Sequence, residues 1–281
     1  MIKLTRDRHP SAIFVGLRGK RRVQKALSLL QGKRDGNLSF NSGFWKQAKS
    51  QLKVETYNKC AYCEADTTVV AHGDVEHFRP KDIYWWLAYC YDNYLFSCQI
   101  CNQVYKSNKF PIRGAPLPEP AVDPEASDEE LQQMAGRLAP DPLHDQEGLP
   151  MATFRSQISQ ELPGLVDPYI FDPAELFAWA ADATLQEVRL IPKDSIIEAT
   201  SAVQAATEFL GLNREELCDL RWREYEKVQV FKDVLASEQL PAELAQRVKE
   251  TILDMMANDA PFAGMVRYYV RQIWGLNLGI Y

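Results

Sequence analysis

Four of the six cysteines fall into two equal spacings. Cys60-Ala-Tyr-Cys63 and Cys98-Gln-Ile-Cys101 are C-x-x-C pairs with 34 residues between them. A C-x-x-C turn sets two sulfurs on one side of a tight loop, and Zn2+ takes four tetrahedral thiolate or imidazole ligands. Two such turns therefore complete one shell, whereas a redox dithiol needs a single pair. The expectation is a structural Zn2+ held by Cys60, Cys63, Cys98 and Cys101. Four thiolates leave no open coordination position, so this ion staples the fold and does not catalyse. Cys90 and Cys218 have no partner by spacing and are expected as small core residues. Between the knuckles lie two of the four histidines, His72 and His77. Glu76-His77 sets a hard oxygen ligand beside a base that titrates near neutrality. Asn93 follows His77 by sixteen positions, and Asn102 follows Asn93 by nine.

Taken one at a time these residues say little. A Glu-His pair is commonly a surface pair, an asparagine a helix cap, and a four-cysteine zinc module a protein-binding knuckle. Their joint order inside one zinc loop carries the argument. Glu-His, then Asn before an apolar strand, then C-x-x-C-Asn-x-x-x-Lys resembles the HNH, or ββα-metal, endonucleases, in the subgroup where two C-x-x-C knuckles flank the site. KCAYCE, DVEHFRPK, the WLAY-x-Y-x-N stretch and SC-x-x-CN followed by KFP resemble the HNH proteins of Septu-type and retron-associated anti-phage defence systems. LVDPYIFDP and FLGLNREEL are similar to later segments of that group. The likeness is strong over residues 57–111 and weaker elsewhere.

The resemblance implies an α+β fold with a small ββα-metal module inside a mainly helical chain. It implies hydrolysis of nucleic-acid phosphodiesters, with DNA favoured over RNA, and an ATPase of the same defence system as partner. His77 would be the general base. Glu76 and Asn102 would hold the catalytic divalent cation, Mg2+ or Mn2+, and Asn93 would bridge backbone groups and hold His77 in place. Arg79, Lys81, Lys106 and Lys109 would contact phosphates. Glu replaces the commoner Asp at the metal position and Asn the last His of the family's name, but both keep oxygen ligands. In an ideal strand Glu76 and His77 would point to opposite faces, so the motif needs a strand end or bulge there. Pro80 fits a strand that stops shortly after. The alternative from another class is a zinc adaptor that bridges a partner protein and nucleic acid without cutting. A self-sufficient restriction-type enzyme would need a recognition domain, and no helix-turn-helix or other reader is evident.

Other elements must position these groups. Residues 1–56 are expected as a basic helical segment and 57–113 as the nuclease module. A Pro- and acid-rich insertion or linker covers 114–165, and an acidic helical region 166–281. The total charge of −6 over 281 residues hides a gradient. Residues 1–59 hold 14 Lys and Arg against 3 Asp and Glu, while 114–281 hold 13 against 29. The cluster Arg18, Lys20, Arg21, Arg22 is the expected nucleic-acid face, and the acidic C-terminal region the docking surface for a partner. The pattern predicts helices over 13–31, 44–57 (anchored by Trp45, Leu52 and Val54), 173–181 (begun by Pro173), 194–210 (ended by Gly211), 213–236 (Asn213 with Glu216 resembling a capping box), 241–258 and 261–274. It also predicts a short helix capped by Ser127 and a strand over 186–191. Tyr84, Trp85, Trp86, Tyr89, Tyr91 and Tyr94 are expected in the core rather than stacked on bases. No apolar run approaches the ~18 residues of a membrane span. The opening MIKLTRDRHP lacks a signal-peptide core, so the expected location is cytoplasmic.

Overall fold

A computed structural model describes residues 1–67, 72–144 and 148–278. The chain forms two compact units, Met1–Leu4 with Thr56–His72 and Val166–Tyr281, and Thr5–Glu55 with Gly73–Leu165. Helix and sheet are mixed, and among the described residues each unit carries one two-stranded antiparallel sheet. Among the described residues no helix is long and apolar enough to cross a membrane.

The unit 5–55/73–165 holds the Glu-His motif. Helix α1 (Gly19–Arg34) is followed by a short α2 (Ser42–Trp45), a 3-10 turn (Lys46–Ala48) and α3 (Lys49–Glu55). The basic helix therefore starts six residues later than the pattern predicts and runs on through Gly32. The helix predicted over 44–57 breaks into these pieces and ends at Glu55; Trp45 and Leu52 are buried, but Val54 faces solvent. Strand β1 (Asp74–His77) pairs antiparallel with β2 (Tyr94–Ser97), Glu76 opposite Leu95 and His77 opposite Tyr94. Gly73 precedes β1 at φ +58, and a Cβ there would meet the Phe96 ring at 2.3 Å, so only glycine fits. The aromatic run 84–94 is buried, with Tyr91 donating to Glu55 at 2.8 Å. Glu55 also receives Arg6 Nη1 at 3.1 Å and the Asp7 N–H at 3.0 Å.

The Pro-rich stretch packs into this same unit. Helix α4 (Asp128–Arg137) starts at the expected Ser127 cap, which closes into a capping box: the Ser127 hydroxyl accepts from the Glu130 N–H while the Glu130 carboxylate accepts from the Ser127 N–H. It lies against α1. Buried Asp141 accepts the Gly19 N–H at 2.5 Å and pairs with Arg22 at 3.4 Å. Past α5 (Met151–Ser159), Glu161 is fully buried and meets Arg79 Nε at 2.6 Å.

In the other unit β3 (Phe177–Asp182) pairs with β4 (Glu187–Pro192), and α6 (Ile197–Leu210) and α7 (Glu215–Leu235) pack on β4. Helices α8 (Ala242–Met255) and α9 (Ala263–Arg267) pack on α7, and a wide π-type turn extends α9 to Ile273. The helix predicted over 173–181 is a 3-10 turn followed by β3. Phe177, Ala178 and Trp179 are all buried and β3 pairs along its length with β4, so this pairing wins over the helix start offered by Pro173. Gly211 ends α6 at φ +61 as expected. Asn213 does not cap α7; its amide pairs with both backbone groups of Leu190, at 2.8 and 2.9 Å, tying the loop to β4. Arg221 is fully buried, its guanidinium over the Trp179 ring and its Nη1 on the Leu212 carbonyl at 2.6 Å.

Candidate active site and metal centre

β1 is four residues long, and His77 is the last of them to pair with β2. Strand alternation lapses there. Glu76 and His77 both line one cavity of about 300 Å3, with Trp45, Val75, Pro80, Lys81, Asn102, Gln103, Ser107 and Asn108. The larger cavity of about 750 Å3, around Trp86, Met134 and Phe154, holds none of these chemical groups.

The His77 ring is clamped. Trp45 and Tyr94 meet it edge-on at 4.9 and 5.1 Å. Its Nε2 lies 3.0 Å from the Ala88 carbonyl oxygen, which also accepts the Tyr94 hydroxyl at 2.7 Å. A carbonyl can only accept, so Nε2 carries the proton and Nδ1 the lone pair. Burial pushes the imidazole down to about 4, the bond to Ala88 opposing and the lysine charges at 81 and 106 adding. The ring is therefore neutral at pH 7, not poised at its ordinary value of about 6.5.

Asn93 is buried and fixes the loop that carries this clamp. Its Oδ1 accepts the Arg79 N–H at 2.8 Å, and its Nδ2 donates to the Arg79 carbonyl at 2.9 Å and to the Leu87 carbonyl at 3.5 Å. The Asn93 carbonyl takes the Phe78 N–H at 2.8 Å. One side chain thus ties the residues just after His77 to the residue just before Ala88.

The second knuckle runs into a wide π-type helix, Ile100–Lys106. Such turns recur at functional sites because the extra residue re-aims side chains. Asn102 is half-buried on its first turn, its Nδ2 3.5 Å from Asp74 Oδ2. Gln103 Nε2 reaches the same oxygen at 2.7 Å. Asp74 has no place among the sequence-derived site residues. Its signal in the chain is the D-x-E spacing, which on a strand puts Asp74 and Glu76 on one face. Burial pushes the Glu76 carboxyl up, Lys106 opposes this, and the Asp74 charge adds to it.

The basic residues divide by placement. Lys106 is fully buried, its Nζ 2.5 Å from Glu76 Oε1 and 3.0 Å from the His77 carbonyl. Arg79 is buried on Glu161, and Arg22 on Asp141 with the Ala139 and Gly136 carbonyls. Arg22, Arg79 and Lys106, expected as phosphate contacts, each carry an internal ion pair. Lys20, Arg21 and Lys109 are exposed; Arg18 and Lys81 are half-exposed, Lys81 paired with Asp82 at 3.1 Å.

The sulfurs of Cys60, Cys63, Cys98 and Cys101 lie within 4.8 Å of one another. All four are buried and none forms a disulfide. Each knuckle is built for this. Glu64 takes φ +61 so that its N–H reaches the Cys60 carbonyl and the Cys60 N–H the Ala65 carbonyl, both at 3.0 Å. In the second, the Cys101 N–H points at Cys98 Sγ at 3.4 Å, a donor suited to a thiolate. Four converging sulfurs with this support could bind Zn2+. Cys90 and Cys218 are buried outside the cluster.

Over 150 residues the chain is 29% identical to the Septu protein PtuB of Bacillus mycoides (strain KBAB4). That stretch is 47% of this chain and 50% of the relative, so the chain spans about half the length of the curated relative it matches. No family model and no solved structure matches the chain.

Proposed function

We propose that the chain is an HNH-type, metal-dependent endonuclease that serves as an effector in anti-phage defence alongside an ATPase. The defence role is supported by the likeness to a Septu protein. The reaction class is carried by one observation: His77, held through Nε2 on Ala88 so that Nδ1 carries the ring's lone pair, lines one cavity with Glu76 and Asn102. In this reading β1, β2 and the helix Ile100–Lys106 are the ββα-metal module.

His77 Nδ1 takes the proton of the water that attacks phosphorus. Being neutral, the ring offers this lone pair in every molecule at pH 7. A phosphodiester in the cavity brings negative charge beside it, which raises its basicity from the depressed value. Trp45, Tyr94 and Ala88 keep the ring from turning, and Asn93 keeps Ala88 in reach. Glu76 and Asn102 are oxygen donors suited to Mg2+ or Mn2+, and Asp74 adds negative charge on the same face. When bound there, such a cation supplies charge stabilisation at the phosphate and its leaving oxygen. The four cysteines hold Zn2+ and take no part in the chemistry.

The test is His77→Ala on the full chain, assayed with duplex DNA, single-stranded DNA and tRNA, with and without the neighbouring ATPase. The expected result is loss of Mg2+- or Mn2+-dependent cleavage with zinc content and thermal unfolding retained. Absence of cleavage by the wild type under every condition would favour the non-cutting adaptor.

A further inference from the structure

The basic charge of the first 59 residues is not one surface. α1 packs along α4, whose first turn is Asp128, Glu129 and Glu130. Arg34 Nη1 meets Asp128 at 2.8 Å, Lys33 meets Glu119 at 2.7 Å, and Arg22 is buried on Asp141. Much of the charge of α1 is thus matched inside the chain by the acidic stretch that folds back on it.

The segment after α1 differs. The turn Lys46–Ala48 packs on β1, and α3 packs on β1 and β2, so this segment lies directly on the strands of the Glu-His site. Trp45 lines the cavity and touches His77. Lys46, Lys49 and Lys53 follow at i, i+3 and i+7, a spacing that returns to one side of a helix. Lys46 is exposed and the other two half-exposed. Among the described residues neither Lys46 nor Lys49 is paired with a carboxylate. The one acid of the segment, Glu55, is buried and taken by Arg6, Tyr91 and the Asp7 backbone.

We propose that Lys46, Lys49 and Lys53 form the phosphate track that leads nucleic acid to the cavity, in place of the Arg18–Arg22 cluster. This rests on the nuclease reading of the cavity and names the surface that feeds it. The 3-10 turn and the start of α3 together rise about 12 Å from Lys46 to Lys53, the span of about three phosphates along one strand of a duplex.

The test is equilibrium binding by fluorescence anisotropy, in EDTA, with the full chain over 0.05–0.2 M salt. The probes are a duplex DNA and a single-stranded RNA. At a slope of about −0.9 per duplex phosphate contact, each lysine is worth about 5-fold in affinity near 0.15 M salt. Lys46→Ala with Lys49→Ala should weaken binding about 30-fold and flatten the log–log salt slope by about 2. Lys20→Ala with Arg21→Ala should change affinity less than two-fold. The probe whose binding falls identifies the backbone engaged. Unchanged affinity and slope for the 46/49 variant on both probes, or the loss appearing in the 20/21 variant instead, would overturn the proposal. Because binding is read without divalent metal, a wild type that binds through these lysines yet never cuts sinks the nuclease reading and leaves the track standing. A wild type that cuts while the 46/49 variant binds normally does the reverse.

Discussion

Replacing Asn93 by alanine tests the reasoning about the site most directly. Asn93 is 1% exposed and its amide orientation is dictated by its partners: an N–H that must donate and a carbonyl that must accept, both of Arg79. Alanine removes both bonds and leaves both backbone groups buried. An orphaned buried donor costs about 1–3 kcal/mol, and the carbonyl, with a second lone pair, somewhat less. The expected loss is about 3 kcal/mol, or about 10 °C in Tm at the usual 2–4 °C per kcal/mol for chains of this size. The effect on cleavage has a separate origin. Asn93 sets the separation of Arg79 and Leu87, and so of His77 and the Ala88 carbonyl that holds its ring. A misplacement of about 1 Å is worth about 100-fold in rate. Cleavage measured well below the lowered Tm should therefore fall about 100-fold in kcat with little change in KM.

Asn93→Asp sharpens the test. The carboxylate still accepts from the Arg79 N–H, but its second oxygen faces the Arg79 carbonyl, and two acceptors repel. Protonation restores a donor, so this variant should regain stability relative to wild type as pH falls, which Asn93→Ala should not. Thermal unfolding from pH 4 to 8 reads this. Full cleavage by destabilised Asn93→Ala would refute the positioning argument. Unchanged Tm would refute the hydrogen-bond accounting beneath it.

Other expectations follow from the same geometry. In chelated protein, His77 is depressed to about 4 when folded and titrates near 6.5 when unfolded. The unfolded chain then binds more protons between these values, so stability falls with falling pH across that window, by about 3 kcal/mol in all. His77→Gln should lack that slope in pH-dependent unfolding. Glu161→Ala leaves the Arg79 guanidinium buried without its partner and should cost about 3–5 kcal/mol, measured by urea unfolding; a loss under 1 kcal/mol would deny the pair its structural weight. Cys98→Ser should lower bound zinc well below one per chain by metal analysis, whereas Cys90→Ala should leave it unchanged. Burial pushes the Cys90 thiol up to about 12, so native protein should also leave Cys90 unalkylated by iodoacetamide at pH 8 while denatured protein is modified.

How far the sequence carries the structure depends on the range of the signal. The knuckles, the Ser127 capping box and the Gly211 stop are local, each fixed by a few neighbouring residues, and each is legible. Residues 173–181 read as helix because a proline start signal precedes a continuous apolar run, and only pairing with the distant β4 makes that run a strand. Asn213 shows the same competition: a cap by spacing, it is drawn instead to the open backbone of Leu190. Residue types and order single out Glu76, His77, Asn93 and Asn102, three of which line one cavity, but not which cations are paired internally. Arg79, Lys106 and Arg22 read as basic residues near a site. Their partners Glu161, Glu76 and Asp141 lie 82, 30 and 119 positions away, and no local pattern announces them.

The charge gradient shows why that long range matters for function. Read along the chain, a basic start and an acidic remainder suggest two surfaces for two partners. In the folded unit 5–55/73–165 the acidic stretch 116–144 lies against basic α1, so part of each cancels the other. Folding it in pairs Arg22 and Arg34 internally, while Lys46 stays exposed and Lys49 half-exposed on the segment that packs on β1. An electrostatic surface that serves a cavity must also lie beside it, and the segment 46–55 packs on β1. Internal pairing also acts inside the cavity. Lys106 is spent on Glu76, so the positive charge nearest the reacting groups is already balanced, and the net attraction for a polyanion must come from outside the cavity wall. A nuclease built this way should lose substrate affinity through its surface lysines and turnover through His77 and Asn93. The KM and kcat of the two sets of variants are the measurements that separate them.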